Sequence, residues 1–380
     1  MATNHGAAGN SAALPSSTGP IETLRAWGWD ERRTAEFAPF VGNGLWPARV
    51  IAQHRGIWHV VGEERESPAS PTGRFRHNAG DGDLPAVGDW VGCVDAPHDG
   101  EARIDMILSR RSVFRRRAAG SRPGAQILAA NVDTLFLATS LNVDLNPRRL
   151  ERYVAMGRES GAETVILLTK ADLAPNATGL VARLEAEFRV RAVAVSSRTG
   201  GGIDSLAPWF EPGRTLALVG SSGVGKSTLL NRLAGEELMA TREIREDDAR
   251  GRHTTTHREL FLLANGALLL DTPGMREFGL WDADEGVDET FVEIVELASG
   301  CRFADCGHRF EPGCAVRAAV QAGRLDAARL KSYRQLAHEL AEQPSTARRR
   351  DRDRRFGKAM RNAAADNMAR KHYADGDDSM

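Results

Sequence analysis

TLALVGSSGVGKSTLLNRLAG, residues Thr215 to Gly235, decides how the rest of the chain is read. An apolar run of strand length, TLALV, leads into GSSGVGKS (Gly220–Ser227), which fits GxxxxGK[ST] and opens the helix-like STLLNRLAG. Gly220, Gly223 and Gly225 allow backbone N–H groups to turn toward a polyphosphate, and the helix N-terminus adds partial positive charge there. Lys226 is placed for the β and γ phosphates. Ser227 is placed to ligate magnesium through its hydroxyl, with Thr228 beside it. A doubly wound α/β domain built round a nucleotide follows from this stretch.

Two further signatures bracket the loop in an unusual order. Guanine-nucleotide switches normally run phosphate loop, DxxG, NKxD. Here TKAD (Thr169–Asp172) comes first, and DTPG (Asp271–Gly274) follows the phosphate loop. The parts are present but rotated, which predicts a circularly permuted GTPase. TVILLTKAD reads as a buried strand ending in a loop, with Asp172 placed to accept hydrogen bonds from N1–H and the exocyclic amine of guanine; adenine lacks that pair of donors. Lys170 is expected to lie along the base and the phosphate loop. Thr169 stands where the usual pattern has Asn, so guanine preference rests more on Asp172. A second loop, VAVSSRTGGGI (Val193–Ile203), offers Ser196 and Ser197 to back the base.

In ALLLDTPG, Asp271 can hold magnesium through water and the Gly274 N–H can touch the γ-phosphate. Met275 follows, where Ras-like enzymes carry a Gln that orients the attacking water, so slow hydrolysis is expected unless another group acts. GRHTTTHREL (Gly251–Leu260) supplies candidates: Thr254, Thr255 or Thr256 to close on magnesium and the γ-phosphate, and His253 or His257 to approach the water. His253 is taken as the catalytic candidate.

Of the four cysteines, three crowd into CRFADCGHRFEPGC as Cys301, Cys306 and Cys314, with His308 among them. Three thiolates and an imidazole form a closed tetrahedral set of the structural zinc type, with no open position for a catalytic water. A disulfide would leave an odd thiol in the cluster. Cys93, in DWVGCVD, reads as a small apolar core residue.

With these motifs in view, TKAD, GSSGVGKSTLLN, GRHTTTHREL, DTPGMREFGLW and the metal cluster, the chain resembles the RsgA/YjeQ family of ribosome small subunit-dependent GTPases over about residues 40 to 360. The resemblance implies a slow GTPase, stimulated by the small (30S) ribosomal subunit and acting late in its maturation. It implies that GTP or GDP with Mg2+ is lined by Thr169, Lys170, Ala171 and Asp172 and by Gly220, Ser221, Ser222, Gly223, Val224, Gly225, Lys226, Ser227 and Thr228. His253 matches the family's proposed catalytic His. Two rivals are an RNA-binding assembly factor that uses GTP only as a structural ligand, and an ATP-using enzyme on the same phosphate loop.

The expected organisation is an extended or disordered segment over 1–38, an OB-fold barrel over 39–112, the permuted GTPase domain over 113–282, an α-helical zinc-binding domain over 283–345 and a basic tail over 346–380. Short alternating runs (WPARVIAQ, IWHVVGE, GRFRHN, DWVGCVD, ARIDMIL) predict the barrel, and periodicity alone leaves an SH3-like barrel open. Asn142 and Asp144 read as turn and N-cap formers. The barrel, the run Arg110, Arg111, Arg115, Arg116, Arg117 and the tail are expected to meet rRNA, although solvated arginines are the plain alternative. Net charge is only −1, so any basic surface is local. No signal peptide and no apolar stretch of about eighteen residues is evident, which predicts a cytoplasmic protein with neither membrane nor DNA among its partners. Nothing demands a dimer, and a monomer is expected. The chain leaves DTPG directly toward the zinc cluster, so the γ-phosphate is expected to influence that region's orientation.

Overall fold

The computed structural model describes residues 20–54, 56–79, 83–96, 100–117, 125–141, 145–234, 258–271 and 284–341. They fall into two compact units, divided near residue 280.

The larger unit begins with helices α1 (Pro20–Ala26) and α2 (Glu31–Phe37), where an extended segment was expected. The Asp30 side chain caps α2 by accepting from the Arg33 N–H at 2.9 Å. Leu24, Trp27, Trp29 and Phe37 are buried, with the Trp29 ring edge-on to Trp90 at 5.0 Å. Burial of four large side chains, about 1.5–3 kcal/mol each, holds these helices in place.

Five strands follow: β1 (Trp46–His54), β2 (Ile57–Val61), β3 (Glu66–Pro71), β4 (Trp90–Asp95) and β5 (Ala102–Ile107). Their order β1-β2-β3-β5-β4 closes through β1–β4, from Trp46↔Cys93 to Arg49↔Trp90, with β3 and β5 parallel. That is the OB-fold, and the SH3-like alternative falls. One expected strand is corrected. GRFRHN forms helix α3 (Gly73–Asn78), because the Thr72 hydroxyl accepts from the Phe75 N–H at 3.0 Å and only Phe75 of the six is buried. The third strand is instead ESPASP, turn-like in composition, which buries Ser67, Ala69 and Pro71 in strict alternation.

A hairpin of β6 (Val113–Arg117) and β7 (Ala125–Ala130) leads to β8 (Thr134–Ser140), β9 (Glu163–Thr169), β10 (Arg191–Ala194), β11 (Thr215–Gly220), β12 (Arg258–Leu262) and β13 (Leu268–Asp271). Their spatial order is β10-β9-β8-β11-β13-β12, all parallel except β12. The phosphate-loop strand β11 thus lies mid-sheet although three of the six strands precede it in the chain, which is the permutation in spatial form. Helices α4 (Pro147–Ser160), α5 (Ala177–Phe188) and α6 (Lys226–Ala234) connect them. Leu229 and Leu230 of α6 share one core with Phe136, Val165, Leu167, Leu216 and Leu269. Asn142 and Asp144 lie outside the described residues. Asn146 caps α4, accepting from the N–H groups of Arg148 and Arg149.

Strand β1 joins the barrel to the α/β strands in one continuous sheet. Its first half pairs with β4, while Ala52 and Gln53 pair with Glu259 and Arg258 of β12. Beside this seam the buried Arg49 donates to the Trp27 carbonyl, to Asn131 O at 3.3 Å and to Thr215 Oγ1 at 2.7 Å, with its guanidinium 5.1 Å from the Trp90 ring. Burial pushes its pKa down to about 10, still charged at neutral pH. Asn131, left-handed at φ 55°, accepts through Oδ1 from Arg33 at 2.8 Å and the Arg111 N–H at 3.0 Å, and donates to Gly88 O at 2.9 Å. Gly88 has φ +91°, and a Cβ there would stand 2.0 Å from Ala130 O. Gly88→Ala is therefore expected to destabilise the larger unit by about 2–5 kcal/mol, strain and overpacking combined, measured by urea unfolding.

The arginine run departs partly from expectation. Arg110 is engaged internally, donating to both oxygens of the buried Asp89 at 2.7 and 2.6 Å, and Arg111 pairs with Asp30. Neither is a free phosphate contact.

The smaller unit is helical: α7 (Asp284–Thr290), α8 (Val292–Ala298), α9 (Ala315–Gln321) and α10 (Ala327–Ala341). Phe291, Ile294, Val316, Ala319, Leu330 and Leu336 are buried, and Arg329 donates to Thr290 O and pairs with Glu293 over the Phe291 ring. Among the described residues no helix is long and apolar enough to cross a membrane. The tail from 346 lies outside the described residues.

Candidate nucleotide site and metal centre

Parallel pairing places the C-terminal ends of β8, β9, β11 and β13 along one edge of the sheet, where open α/β sheets bind ligands. The phosphate loop leaves β11 there and enters α6 at Lys226. Gly223 and Gly225 are left-handed, at φ 74° and 100°, a conformation that glycine adopts without the strain a Cβ would bring. Lys226 Nζ donates to Gly220 O and Ser221 O, both at 2.7 Å, holding an ammonium at the mouth of the loop. Val224 is buried beneath it, while Ser222 and Thr228 are exposed and Ser221 and Ser227 half-buried.

The TKAD residues meet this loop. Thr169, 2% exposed, donates through Oγ1 to Val224 O at 2.5 Å, and Lys170 Nζ donates to Gly223 O at 2.9 Å. Thr169 therefore ties the TKAD loop to the phosphate loop, and its one hydroxyl proton is committed there. Ala171 N–H donates to Val195 O at 3.0 Å, bringing the SSRTGG loop alongside. Ser196, buried, donates to Asp172 Oδ1 at 2.6 Å. The Ser196 hydroxyl, followed by the Arg198 guanidinium, keeps the Asp172 carboxyl below the usual carboxylate range, so it is an acceptor at neutral pH.

Ser197 contributes its carbonyl, accepting from Arg232 at 2.8 Å. Arg198 is new: its Nε and Nη2 reach Asp172 Oδ2 at 3.0 and 2.8 Å. An arginine in a Ser-rich loop carries no sequence signal for this, because the pairing spans two separate loops. Asp271 ends β13 at the same edge. His253, Thr255 and Gly274 lie outside the described residues, as do Thr254, Thr256, His257 and Met275.

In the smaller unit the ligand atoms of Cys301, Cys306, His308 and Cys314 all lie within 4.8 Å of one another. Cys301 Sγ is 3.9 Å from Cys314 Sγ, and His308 Nδ1 is 3.7 Å and 3.5 Å from those two sulfurs. A tetrahedron with metal–sulfur bonds of about 2.3 Å has edges of about 3.8 Å, so the donor set is already spaced for zinc. Burial pushes the His308 imidazole pKa down, favouring the neutral form that ligates. Glu311 braces the loop: its carboxylate accepts from the N–H groups of Gly307, Arg309 and Phe310 at 3.0, 2.7 and 2.9 Å. Its own backbone N–H and those three pull its pKa down to about 2. Cys93, buried in β4 with its thiol pushed up to about 12, is inert core as expected.

The RsgA GTPase family profile matches residues 107–281. The Small ribosomal subunit biogenesis GTPase RsgA of Opitutus terrae is 47% identical over 330 residues, covering 84% of this chain and 90% of that protein. The crystal structure of YjeQ from Thermotoga maritima superposes with a TM-score of 0.57 at 25% identity, over 79% of this chain and all of that one. That of YloQ, a circularly permuted GTPase, shares the fold with a TM-score of 0.54 at 24% identity, over 79% of this chain and 96% of that one. With the TKAD loop, the phosphate loop and Asp271 on one sheet edge and this similarity along most of its length, the chain belongs to the RsgA GTPase family.

Proposed function

We propose that this GTP hydrolase acts in the cytoplasm on the small (30S) ribosomal subunit, contacting its rRNA and hydrolysing GTP late in the subunit's maturation with turnover stimulated by the subunit. The observation that carries the reading is the Asp172 carboxylate, oriented by Ser196 in a base loop that Thr169 and Lys170 tie to the phosphate loop. The relatives' name supplies the subunit as partner. In this reading Asp172 takes the guanine edge, Ser196 and Ser197 back the base, and Gly220 to Thr228 cradle the phosphates. Ser227 and Asp271 hold Mg2+, directly and through water, with Thr255 and Gly274 on the γ-phosphate side. His253 directs the attacking water in place of the missing Gln. Zn2+ at the cysteine cluster is structural, since four protein ligands leave no open position.

Steady-state GTP hydrolysis with and without purified small subunits tests this. Stimulation by the subunit is expected, and His253→Ala should abolish most of it, by about 10²–10⁴-fold. Binding without any stimulation would reduce the chain to an assembly factor that holds GTP as a structural ligand. Full stimulated turnover in His253→Ala would remove that residue from catalysis.

A further inference from the structure

Within CRFADCGHRFEPGC, two of the metal ligands, Cys301 and His308, are each followed by the same dipeptide, Arg302-Phe303 and Arg309-Phe310. All four of these side chains are exposed. Phe310 is 85% accessible, the highest value among the exposed large apolar residues described, and Phe303 is 41%. Rings left in water forgo the stabilisation that burial would provide, so they add little to the fold. Nor are they on a slack loop. Glu311 clamps the N–H groups of Arg309 and Phe310, and the ligand cluster fixes the residue preceding each dipeptide. The Arg302 guanidinium sits 5.6 Å from the Phe303 ring, a cation stacked on an aromatic face.

We propose that Phe310 and Phe303 are platforms on which unpaired RNA bases stack, with Arg309 and Arg302 supplying contacts to the adjoining phosphates. Rigid aromatics interleaved with arginines are how proteins hold single-stranded nucleic acid, whose splayed bases offer a π-face whatever their sequence. The acidic neighbours do not oppose it: Glu311 faces three backbone N–H groups, and Asp305 is a single exposed carboxylate against two guanidinium groups. A protein partner would also cover an exposed Phe, but the paired Arg-Phe arrangement favours nucleic acid. The inference rests on the reading that rRNA of the small subunit is the partner.

The full chain with Phe310→Ala, Phe303→Ala and Phe310→Trp should be tested for binding to a labelled single-stranded oligoadenylate, to duplex RNA and to purified small subunits. Each Ala variant is expected to bind oligoadenylate about 5- to 150-fold more weakly, the loss of one stacked base. Phe310→Trp should bind at least as well as the parent, and duplex binding should be unaltered. Bound zinc and unstimulated GTP hydrolysis should be unchanged, showing intact folding. Oligoadenylate binding that is absent in the parent, or equal in the parent and Phe310→Ala, overturns the proposal. So does an Ala variant that loses the subunit while keeping the oligonucleotide, which would mark this face as a protein dock. Failure of the subunit to stimulate the parent would instead count against the functional reading, leaving the oligonucleotide result to judge the stacking by itself.

Discussion

Asp172→Asn is expected to turn the nucleotide site away from GTP and toward xanthosine triphosphate. Guanine presents two donors, N1–H and the 2-amino group, to a carboxylate that can accept both. Asn offers one acceptor and one donor. Ser196 donates to Oδ1, so the amide oxygen stays on that side and the new NH₂ takes the Oδ2 position, where it faces the guanine amine donor to donor. The same NH₂ faces Arg198 and breaks that ion pair as well. Losing the charge-assisted hydrogen bond to the amine, about 1.5–3 kcal/mol, and leaving two donors opposed, about 1–3 kcal/mol more, put the loss of GTP affinity at roughly 10²–10⁴-fold. Xanthine carries a carbonyl at position 2, which accepts from the new amide, so its triphosphate should gain. Competition of GTP, XTP and ATP for the purified variant reads this directly. An unchanged preference for GTP would mean that Asp172 does not read the base.

The second large effect concerns the zinc proposed at the cysteine cluster. Removing it by chelation, or replacing Cys314 with Ser, is expected to unfold the smaller unit. Cys314 acts twice there: its thiol lies in the ligand cluster, and it caps α9 by accepting from the Arg317 N–H at 3.4 Å. The core of this unit is small: among the described residues its buried apolar side chains besides Cys314 are Val287, Phe291, Ile294, Val316, Ala319, Leu325, Leu330, Leu336 and Leu340. A core of that size supplies no more than about 3–5 kcal/mol, against the roughly 10–16 kcal/mol of a structural zinc site. Circular dichroism should show the loss of α7–α10, zinc content should fall in parallel, and nucleotide binding by the larger unit should persist. A helical signal that survives complete chelation would show that the four ligands do not hold the fold.

Legibility along the chain follows the range of the interactions involved. GSSGVGKS could be placed on a strand–loop–helix because its glycines, its Lys and the helix start act within a few residues of one another. The four ligands in Cys301–Cys314 were legible for the same reason. GRFRHN was misread, since short alternation is ambiguous and a Thr72 cap outweighed it. ESPASP was passed over because its strand character comes from β2 and β5 on either side. Arg198 and Arg110 were not assignable either, as their partners Asp172 and Asp89 sit on other loops.

By itself, then, the amino-acid order determined the permuted nucleotide core, the strand–loop–helix that carries its phosphate loop and the cluster of three Cys and one His, all of them features whose conformation is set by near neighbours. Only the tertiary structure decided that β1 joins the barrel and the α/β strands into one sheet, that Arg49 joins Trp27, Asn131 and Thr215 across as many as 166 residues of chain, and that Thr169 bonds to the phosphate loop. Hydrogen bonds and strand pairings of that span have no local signal, because each partner acquires its meaning only when folding brings the other beside it.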